Sequence, residues 1–217
     1  MERNGKIQDL TPSLLFKRKN PQHIQIETTT RCNLKCTMCP RQTYDYARLK
    51  FDDMTLKDFE HILKKLPKDL GTISFHGLGE PLLNKDIVDI IATANGGHFN
   101  TLLVTNGLLF EHSMITNIFQ SPPGQIIISM DSPDKFRYEQ IRKGANYNVL
   151  VNNIKELINE KAKNAYPTHI AIQMVVSENN FSDVSNMIEF CRRHDIPSLN
   201  LVGIHSEIRS LWKKKYH

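Results

Sequence analysis

The sequence predicts an α/β fold, a partial (β/α)6 TIM barrel of parallel strands, and three observations carry that expectation. Short runs rich in β-branched and apolar residues recur six times. Longer stretches with apolar residues at helical spacing lie between them. Strands separated by helices run parallel with right-handed crossovers, and a twisted sheet of six such units curls toward a barrel that eight would close. At 217 residues, 40% hydrophobic and 24% charged, the chain is sized for one well-packed domain. A core domain is expected over residues 23–217, behind an N-terminal extension at 1–22 for which a short helix is one possible form.

The strands are expected at 23–29 (HIQIETT), 72–77 (TISFHG), 101–105 (TLLVT), 125–130 (QIIISM), 169–176 (HIAIQMVV) and 198–203 (SLNLVG). Helices are expected at 55–66, 85–94, 111–119, 147–162 and 183–194, with a last basic one from Ser206. In the fifth, Val184, Met187, Ile188 and Cys191 form an apolar stripe, so Cys191 reads as core. The SPPG segment at 121–124 is a turn, because proline fixes φ and glycine frees it. Folds of this kind gather the loops after their strands at one face, and informative residues are expected there.

No apolar run approaches the roughly 20 residues that cross a bilayer, and the N-terminus lacks the unbroken apolar segment of a secretion signal. No membrane association is expected, and a cytoplasmic location is. The net charge is +5, but basic residues cluster only at 16–20 (FKRKN) and 212–216 (WKKKY), so no nucleic-acid partner is expected.

Three of the four cysteines, Cys32, Cys36 and Cys39, follow directly on the first strand. That bunching makes a poor disulfide framework and a better metal site. A structural zinc site needs four ligands, commonly in two pairs; His23 or His76 would have to complete it, and neither sits at a paired spacing. An iron–sulfur cube held by three thiolates instead leaves one iron open to an exogenous molecule.

RCNLKCTMC, residues 31–39, resembles the cysteine signature of the radical S-adenosylmethionine (radical SAM) superfamily. The resemblance implies a radical SAM core with a 4Fe–4S cluster on Cys32, Cys36 and Cys39, and S-adenosyl-L-methionine chelated at the open iron. It also implies a low-potential electron donor such as flavodoxin or ferredoxin, and cleavage of the ligand to methionine and a 5′-deoxyadenosyl radical that abstracts hydrogen. HGLGEPLLN resembles the family's Gly-Gly-Glu-Pro element with Leu78 in place of the first glycine. This implies that Gly79 lets backbone approach the ligand and that the Glu80 carboxylate meets its ammonium group. VTNG implies a contact from Asn106, and ISMDSP implies Ser129 and Asp131 at the ribose and methionyl end. In YEQIRKG, Arg142 resembles the arginine that pairs with the ligand carboxylate. The last two strands resemble the adenine wall, with Gln173 and Val175 on one face of the fifth and Leu201 and Val202 on the sixth. Met38 stands where the family usually carries an aromatic residue whose main chain meets adenine.

IETTTRCNLKCTMCPR, GLGEPLLN and VTNGLL are most similar to the branch that carries a cysteine-rich SPASM or twitch extension, which is not found after the sixth strand here. The implied substrate is a peptide, a protein or a small molecule. An uncapped barrel edge suits a protein loop, as in activators of glycyl-radical enzymes, or a site completed by a partner. Relatives that methylate RNA adenosine need two further cysteines, and this chain offers only Cys191. A non-catalytic cluster carrier would have no need of Glu80, Asp131 and Arg142.

Overall fold

The computed structural model describes residues 20–42 and 51–203. Most of the expected N-terminal extension, the helix expected from Ser206 and the basic side chains of both terminal patches lie outside them. Six strands, β1 (His23–Ile26), β2 (Thr72–Phe75), β3 (Asn100–Thr105), β4 (Gln125–Ser129), β5 (His169–Val176) and β6 (Ser198–Gly203), form one sheet. They pair in sequence order and every pair is parallel. Each crossover therefore steps the same way, and among the described residues β1 and β6 are the edges of an open, partial barrel. The helices are α1 (Leu56–Leu63), α2 (Ile87–Gly96), α3 (His112–Gln120), α4 (Lys135–Ile141), α5 (Tyr147–Lys163) and α6 (Val184–Arg193).

The period of two along each strand separates two environments. Ile73, Phe75, Leu103, Ile126, Ile128, Ile170 and Ile172 belong to a buried apolar cluster with Phe59 of α1, Ile90 of α2, Ile115 of α3, Leu150 of α5 and Met187 of α6. Each such burial contributes about 1.5–3 kcal/mol, which outweighs the weak intrinsic preference of short helices. Residues of the alternate register, including Gln25, Val104, Ser129, Gln173 and Asn200, are less completely buried and turn to the other face. Caps fix where helices begin. Thr55 and Asp58 form a capping box on α1, with the Thr55 hydroxyl accepting from Asp58 N at 3.2 Å and the Asp58 carboxylate accepting from Thr55 N at 3.1 Å.

Three expectations need correction. β1 ends at Ile26 instead of Thr29, because Thr28 to Thr30 pair with a different segment. Met54 N donates to Thr28 O at 2.9 Å, Thr30 N to Asp52 O at 3.1 Å, and Thr29 bridges Asp53 antiparallel. The chain thus leaves the sheet to build the site. Second, α4 was not among the expected helices. Its sequence KFRYEQI buries only Tyr138, so no apolar stripe announces it, and Asp134 caps it by accepting from Arg137 N at 2.8 Å. Third, Ile188 is 56% exposed, and the inward face of α6 runs through Met187, Phe190 and Cys191. Cys191 is buried as expected, and burial pushes its thiol up to about 11.

Candidate active site

The loop after β1 carries the three cysteines and is fastened along both sides. Lys35 N donates to Lys143 O at 2.9 Å and Thr37 N to Ile141 O at 2.8 Å, which seams it to the end of α4. Opposite, Asn106 Nδ2 donates to Asn33 Oδ1 at 2.8 Å, and the Arg41 guanidinium donates to Thr30 O. Within the loop, Cys39 N donates to Cys36 O at 3.1 Å, making a tight turn. All three thiols are free and half-buried. Burial raises each pKa, that of Cys36 to about 11 even though the nearby Arg142 charge pulls it down. Thiols so placed are neutral in the protein alone, and a bound cationic group is what would make them thiolates.

The loop after β2 presses against this one. Leu78 N and Gly79 N both donate to the Glu27 carboxylate, and Glu80 N donates to Arg31 O at 2.7 Å. A Cβ on Gly79 would lie 1.9 Å from Thr29 O and 2.9 Å from Arg31 O. The expected reason for this glycine was a close approach to ligand; the structure shows a close approach of the cysteine loop's own backbone. Gly79→Ala is therefore expected to displace that loop and cut iron and sulfide uptake on reconstitution severalfold, and wild-type uptake would contradict this packing.

Glu80 is 3% exposed and organises three loops. Its carboxylate accepts from Thr105 Oγ1 at 2.6 Å, Asn106 N at 2.8 Å and Leu82 N at 3.3 Å. Burial raises its pKa above the ordinary 4.5, against those hydrogen bonds. A raised carboxyl pKa means that the folded state holds its proton longer than the unfolded state, so this group's contribution falls as pH rises from about 4.5 through the folded value. Replacing it by Gln should remove that slope from thermal melts. The amide NH2 would also face Asn106 N–H, at a cost of about 1–3 kcal/mol. Gly107, at φ 75°, turns the chain after Asn106 in a conformation that a side chain would strain.

Beyond β4, Asp131 is fully buried. Its Oδ1 accepts from Val175 N at 2.8 Å, and its Oδ2 lies 2.7 Å from Arg142 Nε. The Nε–H does not align on that oxygen, so the contact is an ion pair more than a hydrogen bond. Burial alone would lower the Arg142 pKa, but the charge of Asp131, seconded by Cys36, leaves it raised. The guanidinium stays charged.

A cavity of about 360 Å³ opens over these loops. Its wall includes Cys32, Cys36, Cys39, Met38, Gly79, Glu80, Asn106, Ser129, Arg142 and Val175, with Gln173 and Val202 beside them; of the cofactor residues singled out from the sequence, Asp131 and Leu201 lie outside it. Asp131 supports Arg142 from outside that wall, and Leu201 does not reach it. Sequence reading missed Leu34 and Thr105 in the wall and Asn33 behind it, and considered His76, which also lines the wall, only as a zinc ligand. His76 directly precedes the glycine-rich element, which was its one signal. Among the described residues, no three His, Cys, Asp or Glu side chains converge on a single metal ion. Three soft sulfur donors set around one cavity suit the separate corners of an iron–sulfur cluster better than one zinc.

Residues 26–191 match the family described as the radical SAM superfamily. The chain belongs to the radical SAM superfamily. Members are enzymes that use a 4Fe–4S cluster and S-adenosylmethionine, act on substrates and take electrons from reductants. Among curated relatives, a probable GTP 3′,8-cyclase of Methanocaldococcus jannaschii is 28% identical over 78% of this chain and 54% of its own length. A cofactor-modifying protein for tungsten-containing aldehyde ferredoxin oxidoreductase, from Pyrococcus furiosus, is 26% identical over 78% of this chain and 48% of its own length. This radical SAM chain thus spans about half the length of the curated relatives it matches. Among solved structures, Streptococcus suis SuiB bound to precursor peptide SuiA superposes with a TM-score of 0.72 at 19% identity, over 86% of this chain and 40% of that one. That likeness confirms the radical SAM fold. No helix among the described residues is long and apolar enough to cross a membrane.

Proposed function

We propose that this chain forms the cofactor-binding core of a radical SAM enzyme whose radical attacks a small, nucleotide-like substrate. The observation that carries the reading is that Cys32, Cys36, Cys39 and Arg142 line one cavity at the C-terminal ends of parallel strands. The curated relatives named GTP 3′,8-cyclase favour the nucleotide. The SPASM or twitch branch expected from the sequence leaves a peptide, a protein or a small metabolite open as substrate. When bound and reduced, the cluster supplies the electron that breaks a carbon–sulfur bond of S-adenosylmethionine and yields the 5′-deoxyadenosyl radical.

The chain's own residues divide the remaining work. Cys32, Cys36 and Cys39 hold the cluster. Arg142, whose terminal nitrogens make no hydrogen bond among the described residues, faces the cavity and docks the ligand carboxylate, while Asp131 holds it in place. Glu80 accepts three hydrogen bonds and retains capacity for the ligand ammonium. Ser129 offers a hydroxyl to the ribose, and Met38, Gln173, Val175 and Val202 wall the adenine. Asn106 is a positioning residue, since its amide already bonds Asn33 and Leu108. Three free thiols suit a reducing cytoplasm, where flavodoxin or ferredoxin can serve as donor.

A second reading, a peptide or protein substrate, is favoured by the open edge at β6, where Leu201 and Val202 are exposed, and by the likeness to the SuiB–peptide complex. Anaerobically reconstituted protein, given dithionite and S-adenosylmethionine, is expected to release 5′-deoxyadenosine. Deuterated GTP should pass deuterium to that product if the nucleotide reading holds, and transfer only from a deuterated peptide would favour the second. Protein that takes up a single zinc and shows no iron absorbance after reconstitution would overturn both.

A further inference from the structure

The cavity has a floor below the residues assigned to the cofactor. His76 is the first residue past β2, and its backbone still belongs to the sheet, with His76 N donating to Ile26 O at 3.2 Å. The period of two along the strand sets it in the register of Ser74, opposite to the core residues Ile73 and Phe75. That register faces the barrel interior, where the Ser74 hydroxyl lies 2.7 Å from His23 Nε2 of β1. His76 lines the cavity, half-buried, and its ring has no hydrogen-bond partner among the described residues.

Strand register fixes its depth. Asn106 and Ser129 each stand one residue past the Thr105–Ile128 pair, and Ser129 pairs with Gln173, so these three form one inward layer of the wall. Val175 and Val202, which pair with each other, lie one layer above. His76 stands one residue past the Phe75–Leu103 pair, level with Val104, which is two residues earlier on β3 than Asn106. It is therefore a layer lower, roughly 6.6 Å nearer the N-terminal ends of the strands. A cofactor seated on Ser129, Gln173, Val175 and Val202 rests above His76, and the space at the ring is left to a second molecule.

We propose that His76 is a specificity-determining residue that hydrogen-bonds the base edge or a sugar hydroxyl of the nucleotide substrate from the cavity floor. The inference rests on the nucleotide-like substrate of the proposed function. Burial, seconded by His23, lowers the His76 pKa below the ordinary 6.5, against the charge of Glu27. The ring is thus neutral at pH 7, with one nitrogen donating and the other accepting. Such a pair matches an uncharged amide or hydroxyl, whereas a phosphate calls for a cation. It also rejects analogues, because a molecule that cannot bond the ring leaves it unpaired in a half-buried site.

The test follows deuterium transfer from deuterated GTP to 5′-deoxyadenosine in anaerobically reconstituted protein over a range of GTP concentrations. His76→Ala should raise the KM for GTP about tenfold, the loss of one hydrogen bond at a partly desolvated site, and change kcat by about twofold at most. Iron content, and S-adenosylmethionine affinity by calorimetry, should match wild type. His76→Asn, whose amide offers a donor and an acceptor, should recover most of the KM. An unchanged KM in His76→Ala overturns the proposal. So does a loss of S-adenosylmethionine affinity in step with the KM, which would assign the ring to the cofactor, and so does a fall in iron content, which would make it a support of the cysteine loop. An asparagine variant no better than alanine overturns the hydrogen bond. If wild-type protein itself transfers no deuterium from GTP, the nucleotide reading fails and this inference falls with it. That failure shows before any variant is compared, so the two are distinguishable.

Discussion

Cys36→Ala protein, reconstituted anaerobically with iron and sulfide, is expected to lose the brown cluster and S-adenosylmethionine cleavage together. The three thiols lie on one short loop whose backbone is held to Ile141 and Lys143 and whose Asn33 side chain is held by Asn106, so no neighbouring donor can move into the empty position. The fourth cysteine cannot help, because Cys191 is buried on the inward face of α6. Removing one half-buried sulfur leaves the backbone clamps intact, and the far-ultraviolet circular dichroism should be that of the wild type. Cys191→Ala is the matching control, expected to keep full iron content. Cleavage that survives in Cys36→Ala would remove this residue from the ligand set.

Arg142→Ala should damage two properties that a second variant separates. Arg142 is only 7% exposed and its partner Asp131 is fully buried, so deleting the guanidinium strands a carboxylate in the interior. Losing one member of such a pair costs about 3–5 kcal/mol, a large share of a domain's stability. The same deletion removes the cation that faces the cavity and should weaken S-adenosylmethionine binding roughly ten- to hundredfold, with iron content preserved. In Asp131→Asn/Arg142→Ala the stranded charge is gone while the Asn oxygen can still accept from Val175 N. Denaturant unfolding should then recover much of the lost stability, and calorimetry should show no recovery of ligand affinity. Were affinity to return with stability, Arg142 would be a structural residue alone.

The strands were legible from their runs of β-branched and apolar side chains, of which β2 to β5 bury one register fully, and β5 and β6 have the expected limits. Boundaries failed where the backbone found partners that no local pattern encodes. Thr28 and Thr29 read as strand and are extended, but their ladder is made with residues 52–54. Helix α4 escaped because a seven-residue helix with one buried side chain has no periodicity to detect. Of the candidate site, the cysteines and Arg142 were readable as residue types in motifs. The work of Asn106 and Gly79 was not, because Asn106 ties Asn33 and Gly79 makes room for Thr29 O, both far away in sequence.

By itself, the sequence determined the parallel α/β architecture, the three-thiol donor set and the order in which the loops arrive, since periodicity and residue chemistry are local properties. Only the tertiary structure decided that Asp131 backs Arg142 instead of lining the cavity, that Glu80 joins three loops, and that the Tyr138 hydroxyl is buried without a partner. Those outcomes depend on which groups lose contact with water together, and burial is a property of the packed molecule that one-dimensional spacing does not carry.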